Sequence, residues 1–194
     1  DIMNAQKAQG DVIRKTSLTF SDTFTQLTGS TVYLKNEFEQ KTGSFKLRGA
    51  YYKIKTLSAE ERKSGVVAAS AGNHAQGVAY ASALEKINCT IVMPKNASPA
   101  KVAATRRYGA TVVLEGKNYD EAWVNAQEIA KTTGATIILA FDDSQIIAAQ
   151  GVIGLEIIKQ LPDVDEVYVP IGGGGLASGV LVAIKDKNPN VKVI

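Results

Sequence analysis

The sequence predicts an α/β protein in which parallel sheet is covered by helices on both faces. Two observations carry this. Short β-branched runs alternate regularly with longer helical patterns, and the runs are almost continuously apolar instead of alternating apolar with polar. Strands of that kind are buried on both sides.

The elements follow in order. Val32-Tyr33-Leu34 reads as a strand. Phe45 to Leu57 reads as a helix, with Leu47, Tyr51 and Ile54 roughly on one face. Ser58-Ala59-Glu60-Glu61 has the spacing of a capping box, so a short helix follows, stopped by Gly65. Val66 to Ala69 is a strand, His74 to Lys86 a helix and Cys89 to Met93 a strand. Ser98-Pro99 sets a helix start that Gly109 closes. Thr111 to Leu114 is a strand, and Asn118 to Thr132 a helix with Gly134 as its stop. Thr136 to Leu139 is a strand and Ile146 to Gln160 a helix. Val167-Tyr168-Val169 is a strand, Leu176 to Lys187 a helix, and Val191 to Ile194 opens a last strand. Because the chain stops within an apparent strand, the natural protein is expected to continue.

Composition removes several classes. With 194 residues, 45% of them hydrophobic, the chain can form one compact domain or two small lobes. The net charge of +3 is spread along the chain, so no stripe for nucleic acid is expected, and Arg106-Arg107 reads as a solvated helix face. One cysteine, Cys89, excludes an internal disulfide and a Cys-rich metal site, and its strand setting suggests a small buried hydrophobe. One histidine, His74, excludes zinc sites built on two or three histidines. No signal peptide or apolar run of membrane-spanning length is seen, so the cytoplasm is the expected compartment, with no membrane partner.

Three glycine-containing loops open helices. Pro170-Ile171-Gly172-Gly173-Gly174-Gly175-Leu176 lies between a strand and a helix. Four glycines leave backbone N–H groups uncovered and free to turn toward one anion, and the helix adds its positive end. A phosphate is the expected guest. The dinucleotide fingerprint is not met, since the sixth position from Gly172 is Ala177, and no P-loop motif occurs. Ser70-Ala71-Gly72-Asn73-His74 follows a strand and suits a carboxylate or ring oxygen, with Ser70 or Asn73 available as an N-cap. In Lys41-Thr42-Gly43-Ser44-Phe45-Lys46-Leu47-Arg48-Gly49, Thr42 and Ser44 are expected caps, and Lys46 falls in the first helical turn. The helix dipole disfavours a cation there, which lowers the lysine pKa as a Schiff-base lysine requires.

These loops, in this order, resemble fold-type II pyridoxal phosphate enzymes of the threonine dehydratase (threonine/serine deaminase) family. Thr42 to Ala50 is similar to the family's lysine motif, Ser70 to Gly77 to its substrate loop, and Gly172 to Leu176 to its phosphate loop. Val32 to Lys35, Val92-Met93-Pro94 and Ala149-Gln150-Gly151 add support. The resemblance implies pyridoxal 5′-phosphate held by Lys46 as a Schiff base, with Phe45 against its ring and Asn73 on its phenolic oxygen. It implies that Gly172, Gly173, Gly174, Gly175 and the Leu176 N–H hold the phosphate. Ser70, Ala71, Gly72, Asn73 and His74 would form the substrate-carboxylate pocket. It further implies two lobes: residues 1–64 and 143–194 as a large cofactor-binding lobe, incomplete at its C-terminus, and 65–142 as a small mobile lobe. The implied reaction is β-elimination from L-threonine or L-serine, in isoleucine biosynthesis or threonine catabolism, in a homo-oligomer with no metal among these residues. Serine racemases resemble the pattern but place a serine where Ala71 stands; alanine cannot transfer a proton, which favours dehydration.

Overall fold

The computed structural model describes residues 1–194. The chain opens with α1 (Ile2–Gln9), β1 (Leu18–Phe20), α2 (Asp22–Thr28), β2 (Tyr33–Lys35) and a 3₁₀ turn over Glu37–Glu39. Then come α3 (Lys46–Lys55), α4 (Ala59–Ser64), β3 (Val66–Ala69), α5 (Asn73–Leu84), β4 (Cys89–Met93), α6 (Pro99–Arg107), β5 (Thr111–Leu114) and α7 (Tyr119–Thr133). The chain finishes with β6 (Thr136–Ile137), α8 (Ser144–Gln160), β7 (Glu166–Val167), α9 (Gly175–Lys187) and β8 (Lys192–Val193).

The main sheet is parallel, in the order β5-β4-β3-β6. All four residues of β3 are buried, and successive side chains face opposite ways. Val66 and Ala68 join the core formed with Ala75, Val78 and Ala79 of α5, while Val67 and Ala69 pack with Ala122 and Ala126 of α7. This is why the strand sequences show no polar alternation. Cys89 is buried in β4, and Arg106 and Arg107 are exposed on α6.

Several helix ends follow from local sequence. Ser58 and Glu61 form the full capping box, Asn118 accepts from the Glu121 N–H, and Gly134 closes α7 in the left-handed conformation at φ 75°. Other expectations need correction. Val32 to Leu34 reads as a strand in the sequence; the strand formed is Tyr33–Lys35, and it pairs antiparallel with Leu18–Phe20, outside the parallel sheet. That pair is a hairpin-like ribbon flanking α2, and its three-residue strands are too short to show a pattern in sequence. Thr42 and Ser44 do not cap α3. Phe45 is its N-cap, and both hydroxyls are buried without a hydrogen-bond partner. The loop tucks inward, so they cannot reach the free N–H groups. Likewise α5 is preceded by Gly72, with no side-chain cap from Ser70 or Asn73.

Two features fix the frame around α3. The α8 and α9 helices approach closely through glycines: a Cβ on Gly154 would lie 2.9 Å from the Val180 carbonyl, and one on Gly179 would strike the Ile147 carbonyl. An ionic cluster lies beneath. Arg48 is fully buried and pairs with Glu37 and Glu156, each at 2.7 Å, while Lys35 reaches Glu156 at 2.6 Å. Gln9 Nε2 donates to the Ala149 carbonyl at 3.0 Å, which ties α1 to the same helix. The first residue of α3 is thereby held in place from below.

Candidate active site

Lys46 is the first residue of α3 and is half-buried. Its Nζ donates to the Ala140 carbonyl at 2.6 Å and lies 5.3 Å from the centroid of the Phe45 ring. Burial lowers its pKa below the ordinary lysine value. A cavity of about 310 Å³ opens at this point. Its walls are Phe45, Lys46, Ala140, Phe141, Ile146, Gln150, Pro170, Ile171, Gly172, Gly173, Gly174, Gly175 and Leu176. The lysine and the glycine loop, 126 positions apart (172 − 46), thus share one cavity.

The loop needs glycine for two different reasons. Gly174 sits at φ +84°, where a side chain is strained. Gly173 and Gly175 lie against Phe141: a Cβ on the first would run into the ring, and one on the second would be 2.6 Å from the Phe141 carbonyl oxygen. Gly172 and Gly174 have nothing within 4 Å of where a Cβ would stand, so their open sides face free space. The backbone N–H groups of residues 172–177 donate to no acceptor within the protein. Six such donors at the start of a 13-residue helix form an anion cradle. An apolar slot, an amine at one end and an anion cradle at the other fit pyridoxal phosphate: its planar ring, aldehyde and phosphate.

The substrate-loop residues lie on the same side of the sheet, following the carboxyl end of β3, but do not line this cavity. The Ser70 hydroxyl accepts from the Gly72 N–H at 3.2 Å. Ala71 is half-buried, Gly72 has open space where a Cβ would be, and Asn73 is exposed. One turn further along α5, a Cβ on Gly77 would be 3.2 Å from the Lys46 carbonyl carbon, so α5 lies directly against the first turn of α3. His74 points into the core and its Nε2 donates to the Ile138 carbonyl at 2.9 Å. That acceptor fixes the Nε2–H tautomer of the neutral ring.

Burial holds the His74 pKa down at about 4, with the Ile138 hydrogen bond opposing and the Lys46 charge adding to the effect. The folded value lies below the unfolded one of 6.5, so the unfolded chain binds the proton more readily. The resulting stability is present above pH 6.5 and is lost as pH falls through 4; the linkage gives about 3 kcal/mol at most. A His74→Gln variant, which keeps an N–H for Ile138, should flatten the stability–pH curve between pH 6.5 and 4 in denaturant titrations. An unchanged slope would show that another group causes it.

Some cavity residues carry no signal in the sequence. Phe141 and Ile146 read as ordinary apolar positions. Gln150 had a usable signal: it is a lone amide within Ile146-Ile147-Ala148-Ala149-Gln150-Gly151-Val152-Ile153, an otherwise apolar stretch.

The fold and the paired lysine and glycine-loop site define a class, and the chain belongs to it: the family of pyridoxal-phosphate dependent enzymes, whose model matches residues 10–194. The protein is 56% identical over 194 residues to the L-threonine ammonia-lyase of Thermotoga maritima, covering all of this chain and 48% of that protein. Among solved structures, processed threonine deaminase isoform 2 from Solanum lycopersicum superposes with a TM-score of 0.95 at 41% identity, over 99% of this chain and 53% of that one. Maize serine racemase gives 0.96 at 35% identity, over 99% and 58%. The chain therefore spans about half the length of these relatives. No helix is long and apolar enough to cross a membrane.

Proposed function

We propose that the protein is a pyridoxal phosphate-dependent ammonia-lyase that converts L-threonine, and also L-serine, into a 2-keto acid and ammonia. The observation that carries this reading is the single cavity walled by both Lys46 and Gly172 to Leu176. Lys46 is the covalent tether, and Phe45 flanks the ring. The N–H groups of Gly172, Gly173, Gly174, Gly175 and Leu176 hold the phosphate, and Asn73 serves the phenolic oxygen. We assign Ser70, Ala71, Gly72, Asn73 and His74 to the substrate carboxylate, since their loop follows the carboxyl end of β3 and α5 packs against the first turn of α3; His74 acts there through its position, because its ring is engaged with Ile138.

Bound pyridoxal phosphate supplies a conjugated electron sink for negative charge at the substrate Cα. Once the substrate amine displaces it from the cofactor carbon, the freed Lys46 Nζ would take the Cα proton as general base, and burial favours the neutral amine this requires. The proton is then held at Nζ and handed to the β-hydroxyl, which departs as water. The unsaturated amine released takes water back and loses ammonia, so the balance is one amino acid to one keto acid and one ammonia. The apolar walls would keep bulk water away from the place where the Cα proton is removed.

Residues 65–142 contain the whole of the main sheet, and we assign them to a small lobe that closes on substrate, with 1–64 and 143–194 in the cofactor-binding lobe. Racemisation is the competing reading, favoured by the superposition on maize serine racemase. Ala71 opposes it, because it offers no proton donor on the face of Cα opposite Lys46. The test is turnover of L-threonine, L-serine and D-serine by the full-length protein, with keto acid and serine enantiomers both measured. Keto acid from L-threonine with no D-serine formed from L-serine is the expected result. Interconversion of serine enantiomers without keto acid would replace the proposal with racemisation.

A further inference from the structure

We infer that Gln150 is a positioning residue that hydrogen-bonds the ring end of pyridoxal phosphate bound at Lys46; the inference rests on the cofactor reading above. Apart from Lys46 and the glycine-loop backbone, the cavity is walled by Phe45, Ala140, Phe141, Ile146, Pro170, Ile171 and Leu176, all apolar. Gln150 is the one other polar side chain in the wall, and it is 1% exposed. Its Oε1 is buried without a hydrogen-bond partner. Four buried side-chain polar atoms in the protein lack a partner, and three of them, Thr42 Oγ1, Ser44 Oγ and Gln150 Oε1, belong to the Lys46 loop and its cavity. A buried carboxamide without partners is more costly than a leucine of similar size at the same place. Gln150 lines the cavity and no group of the protein bonds its carboxamide, so the partner it meets on turning about its last side-chain bond comes from whatever fills the cavity.

The side of the cavity is also decided. On α8, Gly151 and Gly154 face α9: a Cβ on the first would be 2.8 Å from the Gly179 carbonyl. Gln150 turns the other way. A Cβ on Gly49 would be 2.6 Å from Gln150 Nε2 and 2.9 Å from Ile146 Cγ2. Gly49 stands one turn after Lys46 on α3, so the carboxamide lies beside the lysine helix and away from the anion cradle. Its contact is with a polar atom of the ring, and rotation about the last side-chain bond lets it present either the NH₂ or the carbonyl.

The test uses the full-length protein with cofactor removed, titrated with pyridoxal 5′-phosphate and, separately, with pyridoxal, while the near-visible absorbance is followed. Gln150→Leu and the more nearly isosteric Gln150→Met are compared with the wild type, and Gly174→Ala serves as a phosphate-end control. Both Gln150 variants should weaken both ligands about tenfold, while Gly174→Ala weakens the phosphorylated one alone. The thermal midpoint of cofactor-free protein should be unchanged or higher, because an unpaired buried amide has been removed. Affinities within twofold of wild type would overturn the inference, as would loss confined to the phosphorylated ligand, or a lowered cofactor-free midpoint in both variants. A wild type that develops no near-visible band would instead defeat the cofactor reading itself.

Discussion

Replacing Lys46 by alanine in the full-length protein is expected to abolish the Schiff-base absorbance band and to lower turnover by about a thousandfold or more. Both duties of the site fall on one nitrogen: the covalent tether and the base that takes the Cα proton. The amine is already placed for them, half-buried, with its pKa lowered by desolvation and Nζ directed into the cavity by the Ala140 carbonyl. The backbone should tolerate the change, because the lysine side chain is not part of the main core and alanine is the better helix former. Cofactor should still bind weakly through the glycine loop, which the substitution leaves intact. Thermal unfolding, absorbance and keto-acid formation separate these effects. A variant that keeps its absorbance band and its turnover would remove Lys46 from the chemistry.

The second large effect concerns stability. Arg48→Ala should destabilise the fold by about 3–5 kcal/mol, because it leaves Glu156 and Glu37 without the buried cation they share. In a chain of this length that corresponds to a fall in melting temperature on the order of 10 °C. The loss is dominated by the stranded charges, which gives a sharp check. In the double variant Arg48→Met with Glu37→Gln, Lys35 still pairs with Glu156 at its 2.6 Å separation, and the half-buried carboxylate of Glu37 is neutralised. More than half of the lost stability should return. If the double variant is no more stable than Arg48→Ala, the cluster acts through shape instead of charge. Since Arg48 stands two positions after Lys46, cofactor affinity should fall along with stability in the single variant.

The parts of the fold visible in sequence are those whose cause is local or periodic. The capping box at Ser58 and Glu61, the left-handed stop at Gly134 and the buried strands Val66–Ala69 and Cys89–Met93 each have their reason within a few residues. The glycine run was visible too, since four consecutive glycines have few uses other than exposing N–H groups. The first 31 residues were opaque: α1 is short, and β1 takes its place only by pairing antiparallel with β2. Thr42 and Ser44 have the residue types of helix caps but do not cap α3, because a capping residue type says nothing about whether the loop turns outward to the helix end or inward to the core.

By itself the sequence determined the parallel α/β class, the positions of the lysine and the anion loop, and the limits that one cysteine and one histidine set on metal and disulfide chemistry. Only the tertiary structure decided that Lys46 and Gly172–Gly175 share a cavity with Gln150, that His74 spends its ring on Ile138, and that Arg48 is a buried charge instead of a surface one. The physical reason is range. Helix periods and caps act within about four residues, whereas the partners of Arg48 lie 11 and 108 positions away and that of His74 lies 64 away. Whether a polar side chain is solvated, paired or left facing a ligand depends on which distant segments pack against it.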